Sequence, residues 1–421
     1  MLFENIERKY ITDIFRLLRG SVIIQAIQLA GTFILTFYFK KEDFGTLSFL
    51  LSLSLMFEMV AGLQYNNAAV VAHKQNNVLK LMLISVLCAI SFSFLLLIGI
   101  VLFKLIIPGF YADIDLNWFI MALPFFIISN YIFNNGILIL KYFGKIKQII
   151  NFRVLYVILS LAAKFIAALL FGTVDSLVYA HLLGIVVTAF VVTIRFNTTI
   201  VITLKQLTFS EAFLLIKENY RFPKYSIFSS VVSTASTVSF PILITLFFGL
   251  QENGIFYLTT IFVFQPLLLI LQSIGDAFLP KVKVLFHENK PALLKFIHTQ
   301  QLIILKFLIP YFIIAIIAGE FLVQYFLPSH WIEIGKFIKF QIIFYLFTSL
   351  YTPFSIVADF MKKQQFLMMF NISHFLFQFA ILFFLHDLFH FNYVILIAAI
   401  ASAIHYGYIN FYMLKKLKLH P

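Results

Sequence analysis

The sequence predicts an all-α polytopic membrane protein with about twelve transmembrane helices, arranged as two lobes of six helices each. Three observations lead to this fold class. Apolar residues make up 62% of the 421 residues, against about 45–50% for an ordinary soluble domain. Charged residues make up only 12%, where roughly 25% is usual. A short sequence pattern also recurs in the two halves of the chain. The composition excludes a soluble enzyme, a secreted disulfide scaffold and a disordered chain.

Twelve segments have the length and composition of membrane helices, which need about 20 mostly apolar residues each. The predicted spans are residues 17–39, 44–63, 79–103, 117–140, 154–172, 177–194, 225–248, 255–275, 296–318, 337–357, 366–385 and 392–413. Runs such as 81–103 are apolar on both faces, whereas the strands of a membrane barrel alternate over about 10 residues. We therefore expect helices.

The basic residues indicate the orientation of these spans. Most of the 31 lysine and arginine residues fall in every second connection, if the N-terminus is placed in the cytoplasm. This is the positive-inside bias of membrane proteins. It predicts cytoplasmic N- and C-termini. It also explains the net charge of +13 without a nucleic-acid partner, and we expect none.

Little in the chain points to bound metals or cofactors. The sequence has one cysteine, Cys88, so neither an intrachain disulfide nor a cysteine-cluster metal site is expected. It has no phosphate-binding loop of the GxxxxGK[ST] type. Residues 1–19 lack an apolar core followed by a small-residue cleavage site, so a cleavable signal is not expected. We expect no cofactor and no metal.

An internal repeat relates the two halves. FILTFYFKKEDFG (33–45) aligns with ILITLFFGLQENG (242–254) at an offset of 209, which matches Gly45 to Gly254. In both copies an apolar span ends in a short polar turn, and the glycine lies at the start of the next helix. The repeat predicts a duplicated unit of six spans.

The repeat and the spans together predict the domain organisation. We expect an N-terminal six-helix lobe at 1–194, a cytoplasmic linker with an amphipathic helix at 195–224 and a C-terminal six-helix lobe at 225–421. Each half has an even number of spans, so the halves share one orientation. Their pseudo-twofold axis lies along the membrane normal, which is a known transporter plan with a central cleft.

Two blocks carry a resemblance to a known family. They are RGSVIIQAIQLAGTFILTFYFKKEDFGTLSF (19–49) and RFPKYSIFSSVVSTASTVSFPILITLFFGLQENGIFYLTTIFVFQPLLLILQSIGDAFLPKV (221–282). With its "EDFG" turn, "FPKYS" entry and terminal "FLPK", the chain resembles the oligosaccharide flippases, that is, the Wzx-type polysaccharide transporters and O-antigen flippases. These belong to the multidrug/oligosaccharidyl-lipid/polysaccharide exporter superfamily. Relatives often carry an arginine and a glutamate in a segment like "RYExAIV", where this chain has QYNNAAV (64–70).

The resemblance implies a MATE-like fold and a transporter rather than an enzyme. The implied cargo is an undecaprenyl-diphosphate-linked oligosaccharide, carried from the cytoplasmic to the outer leaflet of a bacterial inner membrane. The implied pathway is synthesis of O-antigen and lipopolysaccharide, capsule or exopolysaccharide, with membrane lipids around the protein and a polymerase and ligase as partners. Two alternatives stay open: a multidrug exporter of the same superfamily, and a membrane-bound glycan polymerase or ligase.

Several polar residues lie inside predicted spans and are candidates for the cleft. A lysine at the centre of a span costs about 2.5–3.5 kcal/mol, so Lys164 and Lys306 are expected to face a cavity or a partner. A diphosphate headgroup needs such cations. Gln25 and Gln28 share one helix face, and His374 lies near mid-depth. The alternatives are a snorkelling or ion-paired lysine, and a histidine bonded to a neighbouring carbonyl.

Glu58 lies within the second predicted span, on its cytoplasmic half. Carboxylates inside membrane spans often belong to ion or proton pathways, so Glu58 is a candidate for ion coupling. Structural pairing with a basic residue at the inner surface is the alternative.

Overall fold

The computed structural model describes residues 2–72, 75–106, 119–355, 357–361 and 363–419. Over these ranges the chain is helical, and no strand occurs among them. The predicted all-α fold class is therefore confirmed. The helices are α1 (Leu2–Leu35), α2 (Lys41–Ala61), α3 (Tyr65–Val71), α4 (Gln75–Ile106), α5 (Phe119–Tyr142), α6 (Ile146–Leu170), α7 (Val174–Gln206), α8 (Phe209–Glu218), α9 (Ile227–Phe248), α10 (Leu250–Thr259), α11 (Gln265–Glu288), α12 (Lys290–Phe326), α13 (Ile332–Tyr351), α14 (Val357–Phe360), α15 (Gln364–Leu385) and α16 (Phe391–Leu419).

Eight of the described helices are long and apolar enough to cross a membrane: α2, α4, α5, α6, α7, α12, α15 and α16. A ninth span forms if the bent pair Phe222–Ser236 and Val238–Phe248, which meet at 56°, is taken as one. A shorter apolar helix covers Arg19–Leu35. The protein is thus a multi-pass membrane protein, and the count of twelve spans stays a prediction.

The helix after α10 is interrupted. A π-helical turn at Thr260–Phe264 separates α10 from α11, and Pro266 follows it at the start of α11. A proline at this position removes one backbone donor, and a π-turn accommodates the resulting local change in hydrogen bonding.

The described chain divides into two compact units. One, here called the N-terminal unit, consists of Ala30–Phe39 and Thr46–Ile242. Its core packs α5 against α7, with Phe126, Val178 and Ile185 almost fully buried.

The other, here called the C-terminal unit, consists of Met1–Leu29, Lys40–Gly45 and Leu243–Pro421. In its core the rings of Phe264 and Tyr345 stack at 3.6 Å between centroids.

The predicted linker segment begins as membrane helix. Helix α7 continues to Gln206, beyond the predicted end at residue 194, because residues 195–206 contain no glycine or proline to stop it. Thr208 then caps α8: its hydroxyl accepts from the Glu211 backbone N–H, and the Glu211 carboxylate accepts from the Thr208 N–H. This capping box defines a ten-residue linker helix.

An ion pair joins α8 to α4. Lys80 Nζ lies 2.9 Å from Glu211 Oε2. The hydrogen bond from Lys80 and the bond from the Thr208 N–H hold the pKa of the Glu211 carboxyl below its ordinary value. Phe209 and Phe213 of α8 are exposed, as expected for a helix lying at a membrane surface.

Candidate transport site

Glu58 lies in a buried polar contact between α2 and α5. Its side chain is 6% exposed, and the Asn134 amide donates to Oε1 at 2.6 Å. The second carboxylate oxygen, Oε2, is buried and has no hydrogen-bond partner. Among the described residues no lysine, arginine or histidine forms an ion pair with Glu58. The alternative of structural pairing with a basic residue therefore finds no support in this part of the chain.

The contact has a regular register. One turn before Glu58 on α2, Ser54 lies 3.4 Å from the Asn130 amide, one turn before Asn134 on α5. Residues four apart on a helix share a face. The Ser54–Asn130 and Glu58–Asn134 pairs therefore lie one helical turn apart along the α2–α5 interface. The spacing SxxxE in one span and NxxxN in another was the available sequence signal, and sequence reasoning did not use the asparagines.

The polar cluster continues toward α4. The Asn135 amide lies 3.5 Å from Ser85 Oγ, and the Tyr131 hydroxyl lies beside both residues. Neither the Tyr131 hydroxyl nor Asn135 Oδ1 has a partner with ordinary hydrogen-bond geometry. With Glu58 Oε2, three polar atoms of this one cluster lack a partner with ordinary hydrogen-bond geometry. Natural interiors rarely leave such atoms unpaired, which marks the cluster as a candidate site.

Lys164 lies on α6 of the N-terminal unit and is partly buried. It interacts electrostatically with His181 of α7, whose Nε2 lies 3.0 Å from the Tyr156 hydroxyl. No carboxylate pairs with Lys164 among the residues that the structure describes. His181 was missed from the sequence, although a histidine inside a 33-residue apolar helix is itself a signal.

Lys306 lies on α12 of the C-terminal unit and is exposed. The packed face of α12 carries Ile304 and Leu308, and Lys306 points away from it. The two candidate lysines therefore belong to different compact units. Their shared role in binding an anion stays a prediction.

His374 is almost fully buried between α15 and α16. Its Nε2 lies 3.1 Å from Ser402 Oγ, and its ring stacks with that of His405 at 5.2 Å between centroids. His405 in turn lies 3.0 Å from the Phe370 carbonyl. Both histidines have neighbours that hold them, which agrees with a packing role and leaves a cargo role for His374 untested.

The two glutamines of α1 differ in environment. Gln25 is 5% exposed, and its Nε2 atom has no hydrogen-bond partner. Gln28 is half-buried. A buried amide donor without an acceptor is costly in hydrocarbon, so Gln25 is suited to donate to a ligand oxygen.

The amides that replace the charged pair of related sequences cap a helix end. Gln64 has a left-handed backbone with φ of 59°, and its side chain donates to the Met59 carbonyl at 2.6 Å. The Asn67 amide donates to Gln64 Oε1. These bonds join the end of α2 to α3 and assign the segment a structural role.

Each of the two repeat-related glycines, Gly45 and Gly254, lies against the helix that contains the other. A Cβ atom added to Gly45 would lie 1.8 Å from the Leu250 carbonyl oxygen, and one added to Gly254 would lie 1.9 Å from the Lys41 carbonyl oxygen. Leu250 and Lys41 are also separated by the repeat offset of 209, so the two approaches are equivalent. The N-terminal ends of α2 and α10 therefore cross with backbone nearly touching backbone. We call this the Gly45–Gly254 crossing.

Side-chain interactions also join the helices at the crossing. The Asn253 amide donates to the Gly45 carbonyl at 2.9 Å. Lys41 Nζ pairs with Glu333 Oε2 of α13 at 2.5 Å. The ring of Phe44 contacts the buried Trp331 edge-on, with 5.6 Å between centroids.

An apolar cavity of about 290 Å³ lies between α4, α5 and α7. Its walls include Met82, Val86, Gly136, Val192 and Phe196. An apolar lining suits hydrocarbon rather than a sugar headgroup, so this cavity does not provide the cationic cleft.

Comparison with known proteins gives the family and the fold. The family model described as "Polysaccharide biosynthesis protein" matches residues 20–336. A MOP superfamily transporter from Pyrococcus furiosus is similar at 14% identity and a TM-score of 0.59, covering 96% of both chains. An inward-facing multidrug resistance MATE family transporter is similar at 15% identity and a TM-score of 0.60, covering 95% of both chains. A Vibrio cholerae MATE transporter is similar at 12% identity and a TM-score of 0.57, covering 98% of this chain and 97% of that one.

A search of curated proteins finds no match. The solved structures are too distant in sequence to inform on cargo, and they establish the fold alone. The family match covers more than half of the chain and agrees with the resemblance drawn from the two sequence blocks. The chain is a multi-pass membrane protein with the fold of MOP-superfamily transporters, and it belongs to the polysaccharide biosynthesis protein family.

Proposed function

We propose that this protein is a flippase for undecaprenyl-diphosphate-linked oligosaccharide repeat units. It moves the glycan headgroup from the cytoplasmic to the outer leaflet of a bacterial inner membrane, and the lipid tail stays in the bilayer. The observation that supports the proposal is twofold: the chain matches the polysaccharide biosynthesis protein family, and its fold is similar to that of known transporters. The exported units would then pass to a polymerase and a ligase for surface polysaccharide synthesis.

Transport is proposed to proceed by alternating access. With both termini in the cytoplasm, the N-terminal ends of α2 and α10, and with them the Gly45–Gly254 crossing, lie on the outer side. The Asn253 bond to the Gly45 carbonyl and the ion pair of Lys41 with the half-exposed Glu333 carboxylate are part of this contact. Such bonds contribute about 1 kcal/mol each or less, so neither of them alone holds the two helix ends together.

Lys164 and Lys306 are proposed to bind the diphosphate. Lys164 is the better supported of the two, because it is partly buried and lacks a carboxylate partner among the described residues. Gln25 carries an unsatisfied amide donor and is proposed to bond a sugar or phosphate oxygen. Gln28 and His374 are proposed to line the same path.

The proposal is tested in a strain that lacks the gene. Polyprenyl-linked glycans would be extracted, and their sidedness measured with a membrane-impermeant probe. Single repeat units trapped on the cytoplasmic leaflet would support the flippase. Units on the outer leaflet would indicate a polymerase or ligase, and an unchanged pool would leave a multidrug exporter as the function to test.

Lysine variants in the same strain test the cationic site. Lys164→Ala and Lys306→Ala should lower export at least about tenfold, because a charge-assisted bond to phosphate contributes about 1.5–3 kcal/mol. Arginine at either position should restore part of the export. Lys217→Ala, on the exposed surface of α8, is the matched control and should export normally. Full export by both alanine variants at normal protein levels would refute the cationic site.

A further inference from the structure

We propose that the apolar cavity of the N-terminal unit is a groove that binds one acyl chain of an anionic phospholipid. The groove lies between α4, α5 and α7. These three helices belong to one compact unit, and each is long and apolar enough to cross a membrane. The inference goes beyond the proposed transport function and does not depend on the cargo. It assigns the groove to a lipid of the surrounding bilayer.

Helix α5 forms the floor of the groove, because its lining residues Asn135 and Gly136 are buried. It packs closely against α7 at Gly136, where an added Cβ would lie 2.3 Å from Val192 Cγ1. Exposed residues of α4 and α7, such as Leu87 and Leu204, form the two rims. An exposed apolar side chain of a membrane helix faces hydrocarbon, so the groove opens to the bilayer.

The wall of the groove suits an occupant made of hydrocarbon. None of the described residues that line it is charged. The hydroxyl of the lining residue Thr193 donates to the Ala189 carbonyl at 2.9 Å. The hydroxyl of Thr203, also in the wall, donates to the Thr199 carbonyl at 2.8 Å. A hydroxyl has one proton to donate, so neither threonine has a proton left for a ligand in the groove.

The groove is about as deep as one leaflet of the bilayer. Its lining runs from Leu79 to Ile90 on α4 and from Val192 to Leu204 on α7. These separations of 11 and 12 residues correspond to about 16–18 Å along the helix axes, where half of the hydrocarbon core is about 15 Å thick. The lining occupies the first half of α4 and the last half of α7. The groove therefore begins near one membrane surface and ends near mid-depth, as an acyl chain does.

The volume of the groove restricts the occupant to a single chain. The cavity measures about 290 Å³. An apolar cavity of about 150 Å³ takes up one benzene molecule, so the groove has room for about a dozen carbon atoms, most of one acyl chain. A helix from another protein, about 10 Å wide, is too thick. A polyprenyl tail, which is several times longer and carries a methyl branch on every unit, exceeds the groove in length and width.

The end of the groove at the membrane surface is basic. Lys205 follows directly after the last lining residue of α7. Helix α5 ends on the same side, and its connection to α6 adds Lys145 and Lys147. All three lysines are exposed, and none forms an ion pair with a described carboxylate. The charge of Glu211, at the start of α8, is compensated by Lys80. A lipid with a negatively charged headgroup complements this end of the groove.

Photolabelling tests the acyl-chain site. Phosphatidylglycerol with a diazirine in one acyl chain would be added to the full-length protein in nanodiscs, and the labelled peptides would be identified by mass spectrometry. The label should concentrate in segments 79–90, 132–139 and 192–204. Thr199→Trp, which places a large ring in the groove, should lose this label. Thr198→Trp, at the exposed neighbouring position outside the groove, is the matched control and should keep it.

A second pair of variants removes the dependence on the folding of Thr199→Trp. Leu87→Trp lies on the exposed rim of the groove and should also lose the label. Leu95→Trp, on an exposed part of the same helix outside the groove, should keep it. A label spread evenly over the lipid-facing helices, or retained in full by the two groove variants, would overturn the proposal.

The choice of lipid is tested with the same photolabel. Phosphatidylglycerol should label the groove more strongly than phosphatidylcholine with the same chains, because each lysine near a membrane surface strengthens the binding of anionic lipid about fivefold. Combining Lys145→Gln, Lys147→Gln and Lys205→Gln should remove this preference. Lys336→Gln, an exposed lysine of the C-terminal unit, is the control and should retain it.

Two results would refute the choice of lipid. One is equal labelling by the two phospholipids. The other is displacement of the label by an equimolar amount of polyprenyl phosphate, which would assign the groove to the tail of a polyprenyl lipid. Because these measurements use no glycan, a failure of the flippase assignment would leave their results unchanged.

Discussion

Replacing Gly45 by alanine should open the crossing between α2 and α10. The added Cβ would lie 1.8 Å from the Leu250 carbonyl oxygen and 2.7 Å from its carbon. Apart from atoms of their own residue and its neighbours along the chain, real Cβ atoms essentially never have a heavy atom within 3.0 Å. The two helices must therefore separate by more than about 1 Å at this point, because the atoms in the way belong to rigid backbone.

The magnitude follows from what that separation breaks. The Asn253 bond to the Gly45 carbonyl lengthens beyond hydrogen-bonding distance, a loss of about 1 kcal/mol. Close packing at small residues is also a main source of helix association in membranes. A total of about 1–2 kcal/mol corresponds to a factor of about 5–30 in the population of the closed crossing.

Spin labels at Lys40→Cys and His330→Cys, two exposed positions flanking the crossing, provide the assay in a Cys88→Ser background. Gly45→Ala should broaden the distance distribution toward longer values, and Gly254→Ala should do the same because its clash is the equivalent one. The double variant should add little, since one separation relieves both contacts. Gly99→Ala is the control, because a Cβ there meets nothing within 4 Å. An unchanged distribution in Gly45→Ala would refute the reasoning.

Two further predictions concern ion pairs. Lys41 and Glu333 form an ion pair at 2.5 Å, so Lys41→Glu or Glu333→Lys alone should lengthen the distance between the two spin labels. The double variant, in which the charges are exchanged, should restore the parent distance. A double variant with a distance as long as that of either single variant would contradict this. The second pair joins Lys80 of α4 to Glu211 of α8, and the pKa of the Glu211 carboxyl is lowered by it. The pair therefore stabilises the packing of α8 on α4 fully above the ordinary pKa of a glutamate, about 4.3. This stabilisation is lost as the pH falls through the lower pKa of the folded protein. The protection of α8 against hydrogen exchange, taken relative to the intrinsic rate at each pH, should therefore fall in acid. At neutral pH it should be lower in Glu211→Gln than in the parent, and equal protection in the two would contradict the docking role.

Composition and span length were sufficient for the fold class, because hydrocarbon accepts only helices or closed barrels. The positions of the helix ends could be predicted less well from the sequence. The end of α7 at Gln206 depends on the Thr208 cap, and the predicted end at residue 194 followed the loss of hydropathy rather than any stop signal. The interruption at Thr260–Phe264 likewise depends on local hydrogen bonding that hydropathy does not measure.

Only part of the candidate site could be predicted from the sequence. An ionisable residue in an apolar span is visible in sequence, and Glu58 and Lys164 were found in that way. Their neighbours, Asn134 beside Glu58 and His181 near Lys164, are set by the register in which the helices pack, which a single sequence does not specify. The repeat identified Gly45 and Gly254 as equivalent positions, but only coordinates show that each glycine faces the other helix.

The reciprocal crossing bears on the origin of the chain. A contact in which each copy offers the same glycine to the same carbonyl of the other is the geometry of an isologous dimer. We read it as the remnant of an interface between two identical half-length proteins, later joined into one gene. Fusion freed the side chains to diverge: Phe44 packs on Trp331, while the equivalent Asn253 bonds the Gly45 carbonyl. The glycines had no such freedom, because a side chain on either would part both helices.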